Sequence, residues 1–285
     1  MSELRSDRVE ANGVALALHD WGGHGAPMLL AHATGFHGHA WAEVAEDLVA
    51  HGRHVFSWDF RGHGDSGEST TGYSWDGFAA DALAIVDHLG LAGDPELVAC
   101  GHSKGGAALL LGEEARPGTY TRIWAYEPIL FKSMEPLPPD ADFTLARTAR
   151  KRRDEWSSLD EAYSAFASKP PLNAMTERSL HAYVDYGLRD RGDGVFELKC
   201  RPEVEAEVYT MAPANGAFAR LDEIRVPVRV VSGEKSTSID DELAAAIAER
   251  IPRGSVEVMR GLGHFGPQED PAACVASILD FVKWT

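Results

Sequence analysis

The chain has 285 residues, and its 44% hydrophobic content is enough to fill one α/β core. Its 44 Asp and Glu outnumber 27 Lys and Arg, and the net charge of -17 at pH 7 disfavours nucleic acid and anionic membrane surfaces as partners. The first 30 residues contain acids and no apolar signal-peptide core, and no run of 18 apolar residues occurs, so we expect a cytoplasmic protein, as a monomer or homodimer.

Short β-rich runs and amphipathic helical runs alternate along the first part of the chain. Strands are predicted at GVALALHDW, MLLAHA, HVFSWDF, ELVACG and RIWAYEP. Helices are predicted between them at WAEVAEDLVAHG and WDGFAADALAIVDHLGL. This alternation is typical of a parallel sheet that is covered by helices.

The alternation stops after Pro128 and returns near the C-terminus. Residues from about Phe131 to Met211 contain PLPPD, ARKRRDEW and several amphipathic stretches without a β-α rhythm. The rhythm resumes with PVRVVSG, DELAAAIAERIP, SVEVMRG and DPAACVASILDFVKW. We therefore predict an α/β core formed by residues 1–130 and 212–285, with residues 131–211 inserted as a helical cap.

The stretch GHSKGG lies between the predicted strand ELVACG and a helix, with Ser103 at its centre. A G-x-S-x-G pattern at a strand-to-helix junction is the nucleophile elbow, whose tight turn presents the Ser above the sheet. The small residues there allow two backbones to pass closely. The pattern alone is weak, but its context predicts Ser103 as a nucleophile, with the N–H of Lys104 as an oxyanion donor.

A serine nucleophile needs a general base and a pocket for the oxyanion. His264, in GLGHFG, follows the strand SVEVMR and precedes the last helix, a place from which an imidazole can reach over the sheet. The stretch HATGFHGHAW follows the strand MLLA and forms a turn whose N–H groups can face an oxyanion.

Metal and dinucleotide sites are not expected. Cys100, Cys200 and Cys274 are far apart and form no C-x-x-C, and the pair His51 and His54 has no set of acidic or thiol ligands nearby. The stretch RGHGDSG matches G-x-G-x-x-G, but ESTTGYS separates it from the next helix, whereas a true fingerprint opens its helix within the glycines. The sequence therefore predicts no metal and no organic cofactor.

In their order along the chain, HATGFHGHAW, WDFRGHGDSG, GHSKGG and GLGHFG resemble the α/β-hydrolase fold superfamily. The resemblance implies an eight-stranded, mostly parallel sheet with a cap over the active site. It also implies Ser103 as nucleophile, His264 as base, and main-chain oxyanion donors from Thr34 and Lys104. The fold hosts many chemistries, so the resemblance does not name a substrate.

The triad acid departs from the usual pattern of that superfamily. Its usual place, after the strand VRVVSG, holds Ser236. Some members, among them haloalkane dehalogenases, carry the acid at the end of the strand after the nucleophile, where this chain has Glu127. Asp240 and Asp241 are alternatives, but both lie at a predicted helix start, where acids are favoured by the helix dipole. We favour Glu127.

Lys104 occupies a slot that is often apolar. The interpretation we favour packs its stem on the first helical turn and leaves its amine in water, whereas the alternative has the cation bind a substrate carboxylate or lower a neighbour's proton affinity. We predict a substrate pocket lined by Phe36, His102, Phe131, Trp156, Tyr183 and Phe265. Further cap aromatics are Tyr163, Phe166 and Tyr186, and about half of the cap aromatics are expected to form only cap core.

These residues predict a serine hydrolase for a carboxylic ester or lactone. A C–C hydrolase, a thioesterase and an amidase are sister alternatives, whereas dehalogenase and epoxide-hydrolase activities are disfavoured because those relatives use a carboxylate nucleophile. A small-molecule receptor and a non-hydrolytic cyclase or lyase, with His264 as base, stay open.

Overall fold

The computed structural model describes residues 4–131 and 144–283. The strands are β1 (Arg5–Ala11), β2 (Val14–Gly22), β3 (Pro27–Ala31), β4 (His54–Trp58), β5 (Val98–His102), β6 (Arg122–Tyr126), β7 (Glu155–Trp156), β8 (Leu188–Asp190), β9 (Phe196–Leu198), β10 (Val228–Gly233) and β11 (Gly254–Met259). The α-helices are α1 (Ala42–Ala50), α2 (Trp75–His88), α3 (Lys104–Ala115), α4 (Thr144–Arg150), α5 (Leu159–Ala167), α6 (Glu177–Gly187), α7 (Pro202–Met211), α8 (Asp241–Arg250), α9 (Gly266–Glu269) and α10 (Pro271–Lys283).

Eight strands form one sheet in the order β1-β2-β4-β3-β5-β6-β10-β11. The pairs β1/β2 and β2/β4 are antiparallel, and all the other pairs in this sheet are parallel. The eight-stranded, mostly parallel sheet that the resemblance implies is therefore confirmed. Because β3, β5, β6 and β10 are parallel neighbours, the loops after them meet at one edge, which is where open α/β sheets place their sites.

Each face of the sheet is covered by helices that bury an apolar stripe. On one face α2, α3 and α8 pack through residues such as Phe78, Leu109 and Ile247. On the other face α1 and α10 pack through Leu48 and Phe281. The central strands are buried on both sides, which explains why VACGH and RIWAY read as nearly continuous apolar runs.

The structure differs from the sequence-based expectation in two elements. Strand β1 was not predicted, because its sequence RSDRVEA has a mostly exposed pattern and lies at the sheet edge. The inserted segment is mainly helical in its described part, but it also contains a three-stranded antiparallel sheet in the order β7-β9-β8. Those strands have two or three residues each, too few to show an alternating pattern.

Two further features of the described residues concern the cysteines and the length of the helices. Cys100, Cys200 and Cys274 are buried free thiols. Within residues 4–131 and 144–283, no helix combines the length and the apolar character needed to cross a bilayer.

Candidate active site

Ser103 lies in a sharp turn between β5 and α3, at the carboxyl edge of the sheet. Its φ of 55° and ψ of -117° are rarely adopted by residues with a side chain. The turn is held on both sides, because Ser103 N–H donates to the Tyr126 carbonyl at 2.8 Å and Ile129 N–H donates to the Ser103 carbonyl at 3.3 Å. Ser103 is 5% exposed. The strand-to-helix turn thus has the strained backbone of a nucleophile elbow.

The glycines beside Ser103 are required by the close approach of three backbones. A Cβ on Gly101 would lie 2.6 Å from Gly106 Cα, and a Cβ on Gly105 would lie 2.2 Å from the Ala31 carbonyl oxygen. Any larger side chain would push α3 away from β5 and β3. The same contacts place the first turn of α3 against the end of β3, where the predicted oxyanion turn begins.

His264 faces the carboxylate of Glu127. The imidazole Nδ1 lies 2.5 Å from Glu127 Oε2, and Glu127 is 0% exposed at the end of β6, whereas the His264 side chain is 21% exposed. A carboxylate oxygen accepts, so Nδ1 carries the proton and the Nε2 lone pair is left as a base. In the described part of the chain no hydrogen bond joins His264 to Ser103 Oγ. Such bonds are often long in ligand-free proteins and shorten when substrate binds.

Glu127 is held by two further donors. Gly233 N–H donates to Oε1 at 2.9 Å, and the Ser236 hydroxyl donates to Oε2 at 2.7 Å. Ser236, at the place where the superfamily usually carries its acid, therefore contacts the carboxylate of the candidate acid. The sequence did not predict this contact, because Ser236 and Glu127 are 109 positions apart.

The two alternative acids are engaged elsewhere. Asp240 is the N-cap of α8, and its side chain accepts from Leu243 N–H at 2.8 Å. Asp241 accepts from the Ser232 hydroxyl at 2.8 Å. Both carboxylates therefore lie at the helix start that the sequence predicts, and neither bonds to His264.

Backbone strain is concentrated at this site. Among the non-glycine residues that the structure describes, positive φ angles occur at Asn12, Ser103 and Glu127. Such conformations cost about 1–3 kcal/mol each and persist where the surrounding structure imposes them. Two of the three strained residues are therefore the candidate nucleophile and the candidate acid.

The candidate oxyanion turn follows β3. Phe36 N–H donates to the Ala33 carbonyl at 3.2 Å, so Thr34 lies at the second position of a tight turn and its N–H takes no part in the turn's hydrogen bond. His32 fixes the turn, because its Nδ1 donates to the Ala33 carbonyl at 2.7 Å and its Nε2 accepts from Phe60 N–H at 2.9 Å. Burial lowers the pKa of His32 well below its usual value, which keeps the ring neutral in this role.

The expectation that the Lys104 amine reaches water is wrong. The side chain is 1% exposed, and Nζ lies 4.3 Å from the centre of the Phe60 ring and 4.7 Å from that of Phe78. It lies 3.4 Å from Nε2 of His63, whose Nδ1 donates to the Arg61 carbonyl, so the amine donates to Nε2. Burial lowers the pKa of Lys104 to about 7.

Replacing Lys104 by Met should stabilise the protein more at pH ~7 than at pH ~10. The folded-state pKa of about 7 is below the unfolded value of about 10.4, so the folded state binds fewer protons between these values. The free energy of unfolding of the wild type therefore rises with pH across this window. Below about pH 7 the destabilisation caused by burying the Lys104 amine has its full size. The difference in unfolding free energy between Lys104→Met and wild type should shrink by about 3 kcal/mol across the window.

Urea unfolding at both pH values measures this difference. The change in packing from Lys to Met is the same at each pH. The change of the difference with pH therefore reports only the protonation of the buried Lys104 amine. An equal difference at both pH values would contradict the buried-cation interpretation.

Most of the predicted pocket residues fall in one apolar cluster. The rings of Phe36 and Tyr183 are 5.0 Å apart and those of Phe36 and Phe265 are 5.1 Å apart, and Trp156 belongs to the same cluster. Phe131 instead packs against the core cluster around α2 and α3. The structure therefore brings four of the six predicted pocket residues into one cluster, between the inserted segment and the candidate oxyanion turn. His102 contacts two of them, because its ring lies 6.2 Å from that of Phe36 and 6.1 Å from that of Phe265.

The remaining aromatics of the inserted segment are divided between cluster and surface. Tyr163 and Phe166 pack against the same cluster, whereas Tyr186 is 44% exposed and stacks on His39. His102, the sixth predicted pocket residue, is buried and donates from Nε2 to the His264 carbonyl at 2.8 Å. Its polar nitrogen thus faces the candidate base loop.

An ion pair of the inserted segment contacts the candidate oxyanion turn. Arg152 donates to Glu205 at 2.6 Å and to the Tyr183 hydroxyl at 3.0 Å. Glu205 in turn contacts Gly35, where an added Cβ would lie 2.8 Å from its carboxylate. The local sequence does not indicate this ion pair, because Glu205 lies 53 positions after Arg152.

Comparison with known proteins identifies the relatives of this chain. The model of the alpha/beta hydrolase family matches residues 28–277. A bifunctional esterase/perhydrolase of Acinetobacter calcoaceticus is 23% identical over 95% of this chain and 97% of its own length. A non-heme haloperoxidase of Rhodococcus erythropolis is 38% identical, but the match covers 37% of this chain and about a third (35%) of that relative.

Solved structures share the fold over the whole chain. The crystal structure of E-2-(acetamidomethylene)succinate hydrolase superposes with a TM-score of 0.83, at 18% identity, over 99% of this chain and 100% of that one. Bromoperoxidase from Bacillus anthracis gives a TM-score of 0.76 at 19% identity, over 98% and 100% of the two chains. Together with the elbow, the sheet order and the family match, these likenesses place the chain in the alpha/beta hydrolase family.

Proposed function

We propose that this protein is a serine hydrolase that cleaves a carboxylic ester or lactone of a small apolar molecule through an acyl-enzyme. The observation that carries the proposal is the hydrogen bond between His264 Nδ1 and the buried Glu127, at the sheet edge where the strained elbow holds Ser103. This geometry supports Ser103 as the nucleophile, His264 as a base with a free lone pair, and Glu127 as the acid that orients the base.

In the proposed mechanism Ser103 Oγ attacks the substrate carbonyl carbon while His264 Nε2 takes the hydroxyl proton. The resulting imidazolium is stabilised by the Glu127 carboxylate, which accepts the Nδ1–H bond throughout. His264 then donates the proton to the leaving alkoxide, and an acyl-enzyme remains on Ser103. A water molecule, deprotonated by the same Nε2, releases the acid and restores the serine.

The negative charge of each tetrahedral intermediate is assigned to the N–H groups of Thr34 and Lys104. Thr34 N–H is outside the hydrogen bond of its turn, and Lys104 is the first residue of α3, where an N–H has no partner within the helix. Preorganised donors of this kind are usually the largest single contribution to acyl transfer.

The inserted segment, residues 131–211, is proposed to act as the cap that shapes the substrate site. Its first part, residues 132–143, lies outside the described residues. The described part brings Trp156 and Tyr183 into one apolar cluster with Phe36 of the oxyanion turn, which favours a substrate with a small apolar group. The relative from Acinetobacter calcoaceticus, an esterase/perhydrolase, supports ester chemistry over the C–C, thioester and amide alternatives.

A fluorophosphonate probe tests this function on the wild-type protein. We expect one covalent adduct, located on Ser103 by peptide mass spectrometry, because the strained turn and the adjacent base activate that hydroxyl. A panel of short-chain esters and lactones should be turned over, while matched amides and thioesters should be slower. Urea-unfolded protein is the control and should stay unlabelled.

Two outcomes would contradict the proposal. An adduct on another residue would exclude Ser103 as the nucleophile. A folded protein that binds small molecules without labelling or turnover would instead favour a receptor or a non-hydrolytic catalyst.

A further inference from the structure

His102, directly before the candidate nucleophile, contacts the loop of the candidate base. Its Nε2 lies 2.8 Å from the main-chain carbonyl oxygen of His264, 162 positions later in the chain. A carbonyl only accepts, so Nε2 carries the proton and donates. The hydrogen bond therefore ties the elbow to the backbone of the residue that faces Glu127.

The surroundings of His102 fix both its orientation and its charge. The side chain is 1% exposed, and its ring lies 5.0 Å from the ring of His264 and 5.7 Å from that of Tyr126. Burial lowers the pKa of His102 well below its usual value, and repulsion from His264 lowers it further. A neutral His102 puts no second positive charge beside the imidazolium that forms on His264.

Other hydrogen bonds also hold the loop that carries His264. The Tyr126 hydroxyl donates to the Gly263 carbonyl at 2.7 Å. Glu269 accepts from Gly263 N–H at 2.7 Å and from Phe265 N–H at 3.1 Å. The bond from His102 is made to the carbonyl of His264, whose peptide group is held at its other end by Glu269 through Phe265 N–H.

We propose that His102 is a positioning residue for the base, whose hydrogen bond to the His264 carbonyl holds the imidazole between Glu127 and Ser103. This inference rests on the proposed function, because it gives His102 a part in the reaction only if His264 is the base. Catalytic groups must be held within about 0.5 Å of the productive geometry, and a displacement of about 1 Å can cost about a hundredfold in rate.

The test compares two substitutions of similar length. His102→Gln keeps an N–H donor near the position of Nε2, whereas His102→Met fills the same space without a donor. We expect the kcat of His102→Met to fall by about thirtyfold to a hundredfold with KM within about twofold, and the kcat of His102→Gln to stay within about fivefold of wild type. Rescue by Gln separates the hydrogen bond from packing alone.

Proton NMR supplies a readout that packing alone would not move. The Nδ1 proton of His264, held against Glu127, should give a far-downfield resonance in the wild type and in His102→Gln. In His102→Met that resonance should be broadened or shifted. If His102→Met does not fold, His102→Asn, whose shorter amide does not reach the carbonyl, should show the same loss of kcat.

Three results would overturn the inference. They are a wild-type kcat in His102→Met or His102→Asn, an unchanged downfield resonance in those variants, and a His102→Gln protein as slow as His102→Met. Probe labelling of the wild type distinguishes failure of the His102 inference from failure of the proposed function. If the wild type is labelled on Ser103 and every His102 variant keeps full rate, only the role of His102 is wrong.

Discussion

Ser103→Ala should abolish ester turnover and fluorophosphonate labelling while leaving the fold intact. Loss of a serine nucleophile costs about a millionfold in kcat, and the activity left comes from substrate binding and the oxyanion donors. The variant keeps the Cβ and therefore the same strained turn, so it should unfold at nearly the same temperature as wild type. Steady-state kinetics on the best ester and intact-protein mass spectrometry after probe treatment measure the two losses.

A matched serine elsewhere provides the control for this substitution. Ser69 lies in the loop before α2, where its hydroxyl contacts Thr71 at 3.3 Å. Ser69→Ala should therefore keep full turnover and labelling. If Ser103→Ala retained more than a trace of turnover, or if Ser69→Ala lost it, the nucleophile would be misassigned.

Glu127→Gln should lower kcat by about a thousandfold or more, in line with the loss of other triad acids. The amide carries no charge to stabilise the imidazolium on His264. It also has one acceptor oxygen, whereas the carboxylate now receives hydrogen bonds from Gly233 N–H, the Ser236 hydroxyl and His264. The NH₂ group of Gln will therefore face a donor or force the imidazole into the wrong tautomer. Measurement of kcat and KM, with circular dichroism as the check on folding, gives the result.

Asp240→Asn and Asp241→Asn are the matched controls, because they neutralise the two alternative acids. Asn is nearly as good an N-cap as Asp, so Asp240→Asn should preserve the start of α8. Each variant should keep kcat close to wild type. Near-normal rates in Glu127→Gln, or a large loss in Asp240→Asn or Asp241→Asn, would show that another carboxylate orients the base.

The candidate site was predictable where the constraint is local. Gly101 and Gly105 are needed because neighbouring backbones leave no room for a Cβ there. The sequence shows this requirement directly as the pattern G-x-S-x-G. Glu127 was chosen because it follows a buried strand whose end must lie at the same edge as Ser103, and the structure places it against His264. Whether these groups act as a triad stays a prediction until the variants are measured.

Most of the fold was also predictable from local patterns. The prediction failed for strands that are exposed or very short. Seven of the eight strands in the large sheet are buried or alternating runs that the sequence predicts, and β1 was missed because its exposed residues give no apolar period. The strands of the inserted segment are too short for any period to be read. Their pairing depends on contacts between residues far apart in the sequence.

The sequence by itself determined the strand and helix rhythm, the strained elbow at Ser103 and the helix start at Asp240, because short-range sterics and periodic burial govern each of these. Only the tertiary structure decided the direction of the Lys104 amine, which Phe60, Phe78 and His63 enclose. A long, flexible side chain has many rotamers of similar energy, and packing by distant segments selects among them. The bonds of His102 and Ser236 were decided in the same way, since their partners lie 162 and 109 positions away and meet only when the sheet has formed.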